Sequence, residues 1–493
     1  MSTSALLDRL RALSDVLGVP APPSGEKVTV AQSLDAIAPL LGTATDRLWL
    51  AQATVLAEFP EAPAFEEFRR AARLDGVRKA LDAVVARASR PFAPNRNVTV
   101  RIARQKVLVD VHHTARTGLA TGIQRVVRQT IVEWSARHDI ELVGWDARFL
   151  GLRTLSAPER QNALYGSVPN IPHVRNRVLT IPFESTYILP ELAIENDRTS
   201  RISCLAEFSG NATRAIGFDC VPLTSSETVG DGMSAAFAKN LAAIAHFDRL
   251  STISEAAAIE YRGWRRMLSG AGLRGPVIDS LLLPSVAEDV AADDFALARA
   301  ELLRGDAPLV VVVGSHEPRK NHLAVLYAAE RLWQEDVGFQ LVFIGGNGWH
   351  GDEFKAELAR LQEAGRPVRA ISAISDPLLW SAYRLARLTV FPSLNEGFGL
   401  PVGESLSAGT PVVTSGFGSM KEIAGGGGAI FVDPRDDDDV LRGIRAGLVD
   451  DALHARLAAE ARELPLRGWA EYADELWSYF GEPTALTVAP QNG

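Results

Sequence analysis

The chain of 493 residues is too long for one ordinary hydrophobic core and points to two domains with an appendage. Its 47% hydrophobic and 23% charged content excludes a disordered or fibrous chain, and its net charge of -9 excludes a general nucleic-acid binder, which needs a basic face. Cys204 and Cys220 are its two cysteines, too few for a disulfide framework, and no basic head with an apolar run opens the chain, so the expected location is a reducing, cytoplasmic one.

Residues 1–100 carry mostly helical patterning broken by prolines in VPAPPSGE and ASRPFAPN, and are expected to form a helical N-terminal extension. From Arg69 to Lys106 the chain is locally basic: Arg70, Arg73, Arg78, Lys79, Arg87, Arg90, Arg96, Arg101 and Arg104 also lie in this stretch, against only Asp75 and Asp82. Beyond it, short apolar runs alternate with amphipathic segments. KVLVDVH (106–112), IELVGWD (140–146), RLSTIS (249–254) and PVIDSLLLP (276–284) read as buried strands, and GIQRVVRQTIVEWSAR as a helix between two of them. Residues 101–290 are therefore expected to form one Rossmann-like domain, and SVAEDVAADDFALARAELLRGD the hinge after it. A second set of runs follows, LVVVVG (309–314), FQLVFIGG (339–346), VRAISA (368–373), LTVFPS (388–393), PVVTSG (411–416) and AIFVDP (429–434). Strand and helix in alternation predict parallel, doubly wound sheets, here a second one over 291–465. Residues 466–493 are expected to form a helix and tail packing back on the first domain. The tract RDDDD at 435–439 reads as an acidic helix start, favoured by the helix dipole, and GGGG at 425–428 as a turn.

In an open parallel sheet, ligands lie beyond the carboxyl ends of the strands. After LVVVVG, the segment SHEPRKNH sets Arg319 and Lys320 at a strand-to-helix turn, where cations oppose the helix dipole. A phosphate ligand accounts for them better: Arg grips its oxygens with a two-pronged fork and Lys adds a mobile point charge. Gly345 and Gly346, after FQLVFIGG, permit close backbone approach. In FPSLNEGFGLPVGESLSAGTPVV, Pro401 suits a helix start and Gly409 a helix end, so PVGESLSAG is a short helix. Its free amides face the bare loop of Gly397, Phe398, Gly399 and Leu400 and make an anion site without side chains. Glu396 precedes that loop and Glu404 lies about one turn into the helix. Glu396 is expected to accept hydrogen bonds from sugar hydroxyls and Glu404 from a pair of ribose hydroxyls. His112 and His113 are adjacent on a strand, point to opposite faces and are not expected to share a metal ion.

GSHEPRKNH (314–322) and PSLNEGFGLPVGESLSAGTP (392–411) resemble the nucleotide-sugar site of retaining GT-B glycosyltransferases, in the large family that includes bacterial mannosyl- and rhamnosyltransferases. The likeness continues through ISDPLLWSAYRLARLTVF and SMKEIAGGGGAIFVDP and covers most of 309–450. In the first domain TGIQRVVRQ (121–129) is similar to the family's glycine-containing turn, with Gly122 opening a helix beside the reaction centre. GFDCVP and STISEAA are similar to two further segments, the first setting Asp219 at a strand end facing the cleft. TSSETV after Asp219 and the long extension depart from the family's pattern.

The resemblance implies an α/β protein of two Rossmann-like domains facing a cleft, the GT-B architecture. It implies a nucleotide-diphosphate sugar as donor, no cofactor and no metal, with Glu396, Arg319, Lys320 and Asp219 as catalytic residues. Gly314, Gly122, Gly345, Glu404, Gly397, Phe398, Gly399, Leu400 and Pro401 would hold the donor. The anomeric configuration would be retained, and the acceptor would be a glycan or a lipid-linked glycan of a cell-surface polysaccharide. The basic stretch 69–106 and YRGWRRMLSGAGLRG (261–275) would suit peripheral contact with an anionic membrane. The rival readings are a catalytically silent scaffold of the same fold and a sugar-nucleotide epimerase; a phosphorylase would need a pyridoxal phosphate lysine that the sequence does not offer.

Overall fold

Short apolar runs flanked by turn residues assemble into two sheets in the computed structural model, which describes residues 3–20, 28–90, 93, 95–118, 121–167, 178–465 and 467–481. The first sheet contains β1 (Thr99–Arg104), β2 (Val107–Asp110), β3 (Ile140–Trp145), β4 (Leu152–Thr154), β5 (Val178–Phe183), β6 (Thr186–Leu189), β7 (Ala212–Gly217), β8 (Arg249–Thr252) and β9 (Val277–Ser280). Their order is β1-β5-β4-β3-β2-β6-β7-β8-β9. Among the described strands only β4 runs antiparallel to its neighbours. The turn between β3 and β4 closes with Asp146 accepting from Leu150 N at 2.5 Å, too short a link for the crossover that a parallel pair needs.

The second sheet is wholly parallel: β10 (Leu309–Val313), β11 (Gln340–Ile344), β12 (Val368–Ile371), β13 (Leu388–Phe391), β14 (Val412–Ser415) and β15 (Ala429–Val432), in the order β12-β11-β10-β13-β14-β15. Strand β11 is buried throughout, as a strand covered by helices on both faces must be. The chain winds outward from β10 to β12, then returns to lay β13 on the other side of β10. The loops leaving β10 and β13 therefore part to opposite faces and open a crevice between them.

The extension consists of the helices Thr3–Leu17, Val30–Leu41, Thr45–Leu56, Ala62–Leu74 and Val77–Ala88. Thr29 and Gln32 form a reciprocal capping box that fixes the start of the second. The third is buried at every position from Leu48 to Leu56, so it runs through a core instead of lying on one. That core is shared: Leu10, Trp49 and Phe65 belong to one cluster with Tyr187, Ile202 and Leu250 of the first domain. Edge-to-face contacts from Trp49 to Phe59 (5.2 Å) and from Phe59 to Trp145 (5.5 Å) join the helix to β3. At the other end of the chain the helix Trp469–Gly481 packs on Gly122–Arg137, with Trp134 Nε1 donating to the Ala473 carbonyl at 2.9 Å.

The basic stretch 69–106 is largely neutralised within the protein. Arg69 and Arg70 pair with Glu66, Arg78 with Asp35 and Asp82, Lys79 with Asp75, and Arg87 with Glu58. Arg101, Arg104 and Lys106 pair with Glu141, Glu184 and Asp139. Among the described residues no helix is long and apolar enough to cross a membrane. Cys204 and Cys220 are buried and unbridged.

Candidate active site between the two sheets

Arg319 and Lys320 occupy a single 3-10 turn, Pro318–Lys320, after which Asn321 takes φ +58° and starts the helix His322–Gln334. The cations thus precede the helix and do not sit inside its first turn. Both converge on one carboxylate from the loop after β13. Arg319 Nη1 lies 2.6 Å from Glu396 Oε2, Lys320 Nζ lies 2.6 Å from Glu396 Oε1, and Ser393 Oγ donates to Oε1 at 2.7 Å. The side chains of Glu396 and Lys320 are only 9% and 11% exposed, so this ion pair is weakly screened. Burial raises the Glu396 pKa, but Lys320 and Arg319 outweigh it and hold the carboxyl at about 2. At Lys320 the balance goes the other way: burial lowers the ammonium pKa in spite of Glu396. Burial also acts to lower Arg319, which Glu396 and Glu317 more than offset.

The bare loop after Glu396 is bare for steric reasons. A Cβ on Gly397 would come within 2.7 Å of Asp219 Cβ and of the Phe218 carbonyl, both in the first domain. Ser254 Oγ, also from the first domain, donates to the Gly397 carbonyl at 2.5 Å. Gly399 takes φ +102° and turns the chain into the helix Leu400–Ser407, with Pro401 in its first turn. Gly122 faces Leu400, whose Cδ1 lies 3.4 Å from the position of a Cβ there. Gly314, at φ +150°, carries the Lys320 side chain across it, and Gly345 abuts the Gly314 carbonyl so closely that no side chain fits. Asp219 stands over this loop at the end of β7. Burial pushes its carboxyl up to about 6, against the pull of Arg319 and of the Val221 N–H, which donates to Oδ1 at 3.1 Å. The structure thus gathers Asp219, Gly122, Arg319, Lys320, Glu396 and the loop 397–401 at one crevice.

Glu404 is buried and fully engaged. Arg125 Nη1, from the helix Gly122–Arg137, lies 2.5 Å from its Oε1, and the Tyr383 hydroxyl donates to its Oε2 at 2.7 Å. Sequence reasoning missed both partners. Arg125 had one available signal, its place one turn after Gly122 on the helix expected to face the cleft; Tyr383 had none. Three further contacts join the domains. Asn395 Nδ2 donates to Thr224 Oγ1 (3.0 Å) and Ser225 Oγ (2.9 Å). Glu422 accepts from the first amides of the helix Glu255–Gly270, at Glu255 (2.9 Å) and Ala256 (3.2 Å). The Trp349 ring lies 2.9 Å from where a Cβ on Gly230 would be. The segment after Asp219 that departs from the family's pattern is therefore part of the seam between the domains.

His112 and His113 have separate structural partners. The Nδ1 of His112 accepts from the Trp145 amide at 3.0 Å, and Nε2 of His113 lies 2.7 Å from Glu195. Among the described residues no group of three or more His, Cys, Asp or Glu side chains is placed to hold a metal ion.

Residues 294–464 match the family model described as Glycosyl transferases group 1. This part of the chain is a group 1 glycosyltransferase domain. The chain is 28% identical over 376 residues to a serotype-specific mannosyltransferase, WbdA, of Escherichia coli, covering 72% of this chain and 44% of that one. It is 35% identical over 156 residues to O-antigen chain mannosyltransferase B of Escherichia coli, covering 31% and 40%. The chain thus spans less than half the length of these curated relatives. Among solved structures it is similar to a sucrose-phosphate synthase from Thermosynechococcus elongatus (TM-score 0.54, 16% identity, 76% of this chain and 98% of that one). It is also similar to Anabaena HepE in complex with UDP and glucose (TM-score 0.55, 12% identity, 76% and 99%). The architecture is GT-B: two Rossmann-like domains whose strand ends face each other across a cleft.

Proposed function

We propose that this protein is a retaining, metal-independent hexosyltransferase that moves a hexose or deoxyhexose from a nucleotide-diphosphate sugar to a glycan or lipid-linked acceptor in cell-surface polysaccharide synthesis. The observation that carries this reading is the convergence of Arg319 and Lys320 on buried Glu396 at the crevice between β10 and β13, beneath Asp219. Arg319 Nη1 is shared between Glu396 and the Asn395 carbonyl (2.9 Å) and Nη2 donates to Glu317 (3.2 Å), while Nε has no partner among the described residues. Of the five N–H groups of a guanidinium and the three of an ammonium, that leaves Nε–H and one Nη2–H of Arg319 and two hydrogens of Lys320 for a diphosphate. The dipole of the helix Leu400–Ser407 adds to them at its start, although Pro401 has no N–H and the Val402 N–H is taken by the Gly399 carbonyl (2.9 Å), so fewer free amides stand there than the sequence suggested.

The proposed step breaks the bond from the sugar's anomeric carbon to the phosphate oxygen and forms the bond to the acceptor oxygen on the same face. The acceptor proton passes to the departing phosphate, so no enzyme nucleophile is required. Arg319, Lys320 and the dipole of the helix Leu400–Ser407 stabilise the charge that develops on the leaving group. Asp219 orients the acceptor hydroxyl or the donor hexose, and the seam between the domains excludes water. Support for a mannosyl donor and an O-antigen type acceptor comes from the named activities of the relatives. Support for contact with an anionic bilayer is confined to the helix Glu255–Gly270, which exposes Arg266 together with Ile259 (60%) and Met267 (68%).

The deciding experiment incubates the purified protein with a panel of nucleotide sugars and a glycan acceptor, and measures free nucleotide and the anomeric configuration of the product. Release from one sugar class with retention supports the reading. A folded protein that releases no nucleotide from any of them favours the silent scaffold.

A further inference from the structure

The buried helix Thr45–Leu56 carries one amide that its surroundings do not satisfy. Gln52 is only 3% exposed and its side-chain oxygen has no hydrogen-bond partner. A buried polar group left in this state costs on the order of 1–3 kcal/mol, and such groups call for a ligand or water to account for them. Gln52 lines a cavity of about 260 Å³ between the extension and the helix Asn196–Phe208 of the first domain. At the liquid share of about 30 Å³ per water this is room for roughly eight waters, or for one monosaccharide unit.

The polar lining has a definite chemistry. Glu58 Oε1 accepts from Arg87 Nη2 at 2.7 Å, and Glu61 Oε1 lies 3.0 Å from Arg201 Nη2. Each carboxylate keeps its other oxygen outside these pairs. Arg201 is only 8% exposed, and its Nε has no partner. Two carboxylates and two guanidiniums cancel, so the cavity has no net charge with which to select an anion or a cation. What it offers is acceptors and donors side by side, which a hydroxyl can satisfy in both roles. Leu56, Pro60 and Pro63 supply an apolar wall. The mouth is open to solvent, since the side chains of Glu61 and Arg87 are 45% and 50% exposed.

We propose that this cavity is a carbohydrate-binding site that holds a neutral sugar unit of a glycan away from the transfer cleft. Its use in acceptor handling rests on the transferase reading above; the binding itself does not. Held at a second point, an acceptor chain presents its end to the cleft at a raised effective concentration.

Calorimetric titration of the full chain with α-linked mannotriose, with maltotriose and with inorganic phosphate tests the proposal, in the wild type and in Gln52→Leu, Glu61→Gln and Glu396→Gln. A neutral trisaccharide should bind the wild type and Glu396→Gln alike and bind about tenfold more weakly to each cavity variant, the loss expected for one hydrogen bond. Glu61 lies at the exposed mouth, so its variant reports on binding even if Gln52→Leu fails to fold. The proposal is overturned if neither trisaccharide binds, if binding is lost in Glu396→Gln and kept in the cavity variants, or if phosphate competes for the same cavity. Saccharide binding without nucleotide release would leave this site standing and remove the transferase reading; nucleotide release without saccharide binding would do the reverse.

Discussion

Replacing Glu396 by Gln removes one charge and almost no volume from a group that two cations enclose, so its consequences can be worked out. Holding the carboxyl at about 2 in place of its usual 4.5 corresponds to about 3 kcal/mol in favour of the charged, folded state, at 1.36 kcal/mol for each tenfold change in proton affinity. The folded pKa is depressed, so this stabilisation is fully present above pH 4.5 and is lost as pH falls toward 2. Glu396→Gln should therefore lose about 3 kcal/mol at pH 7 and show no such acid dependence. A two-domain chain does not unfold in one step, so the assay is hydrogen exchange in the segments 314–321 and 392–399, followed from pH 7 downward. The same substitution leaves Lys320 without its paired carboxylate and Arg319 with Glu317 alone. Binding of free nucleoside diphosphate should then be retained or tightened, while turnover falls about a hundredfold. Unchanged protection at pH 7 would refute the electrostatic account, and a loss of nucleotide affinity equal to that of Glu404→Ala would refute the assignment of Glu396 to the sugar side.

For the Arg125–Glu404 bridge, a double-mutant cycle on nucleoside diphosphate affinity should show coupling of about 1–3 kcal/mol; strictly additive losses would mean that the bridge has no part in binding. Asp219 titrates in the opposite sense to Glu396. Its folded pKa, about 6, lies above its usual 3.8, so the folded state holds the proton longer and stability falls as pH rises between those values. Asp219→Asn should remove that slope and raise local stability at pH 7 by up to about 3 kcal/mol, and hydrogen exchange in the segment 212–221 that keeps the slope would show that another group carries it. Anionic vesicles should co-sediment the protein at low salt and release it at high salt, and Arg266→Glu with Met267→Ser should weaken the association; no co-sedimentation at low salt removes the membrane from the proposal.

The strands of the second sheet were legible because both of their faces are covered, which turns them into unbroken runs such as LVVVV and QLVFI. In the first sheet β1, β4, β5, β6 and β7 were not read as strands from the apolar pattern. Strand β1, TVRIAR, lies at the sheet edge with Arg101 paired to Glu141, so its apolar signal is diluted. Strand β7 carries Arg214 into the interior, where it is satisfied by the Phe480 carbonyl and Asp248, partners that no local pattern foretells. The place of the extension was hidden for a similar reason. A helix such as Thr45–Leu56, whose stretch Leu48–Leu56 is apolar apart from Gln52 and Thr54, announces burial but not what buries it. At the site, Arg319, Lys320, Glu396 and Glu404 stood out by residue type and by their place after strands. Their partners did not, because Arg125 and Glu404 are 279 positions apart and meet only through the facing of two sheets.

That difference in partners sets the two glutamates in different mechanical roles. Glu396 is paired with Arg319, Lys320 and Ser393 of its own domain, so its ion pairs survive an opening of the cleft. Glu404 is held by Tyr383 from its own domain and by Arg125 from the other, so its environment changes when the domains part. A ribose that bonds to Glu404 must share the carboxylate with Arg125 or displace it. Sharing would make the nucleotide a third member of the bridge and favour the closed cleft; displacement would favour the open one. A ligand shifts such an equilibrium only by its difference in affinity for the two states, and that difference resides in one guanidinium–carboxylate pair. With Glu404 in the ribose-binding role proposed for it, the residue that reads the nucleotide is also the one that reports domain position, and donor binding and closure are linked without any longer pathway between them.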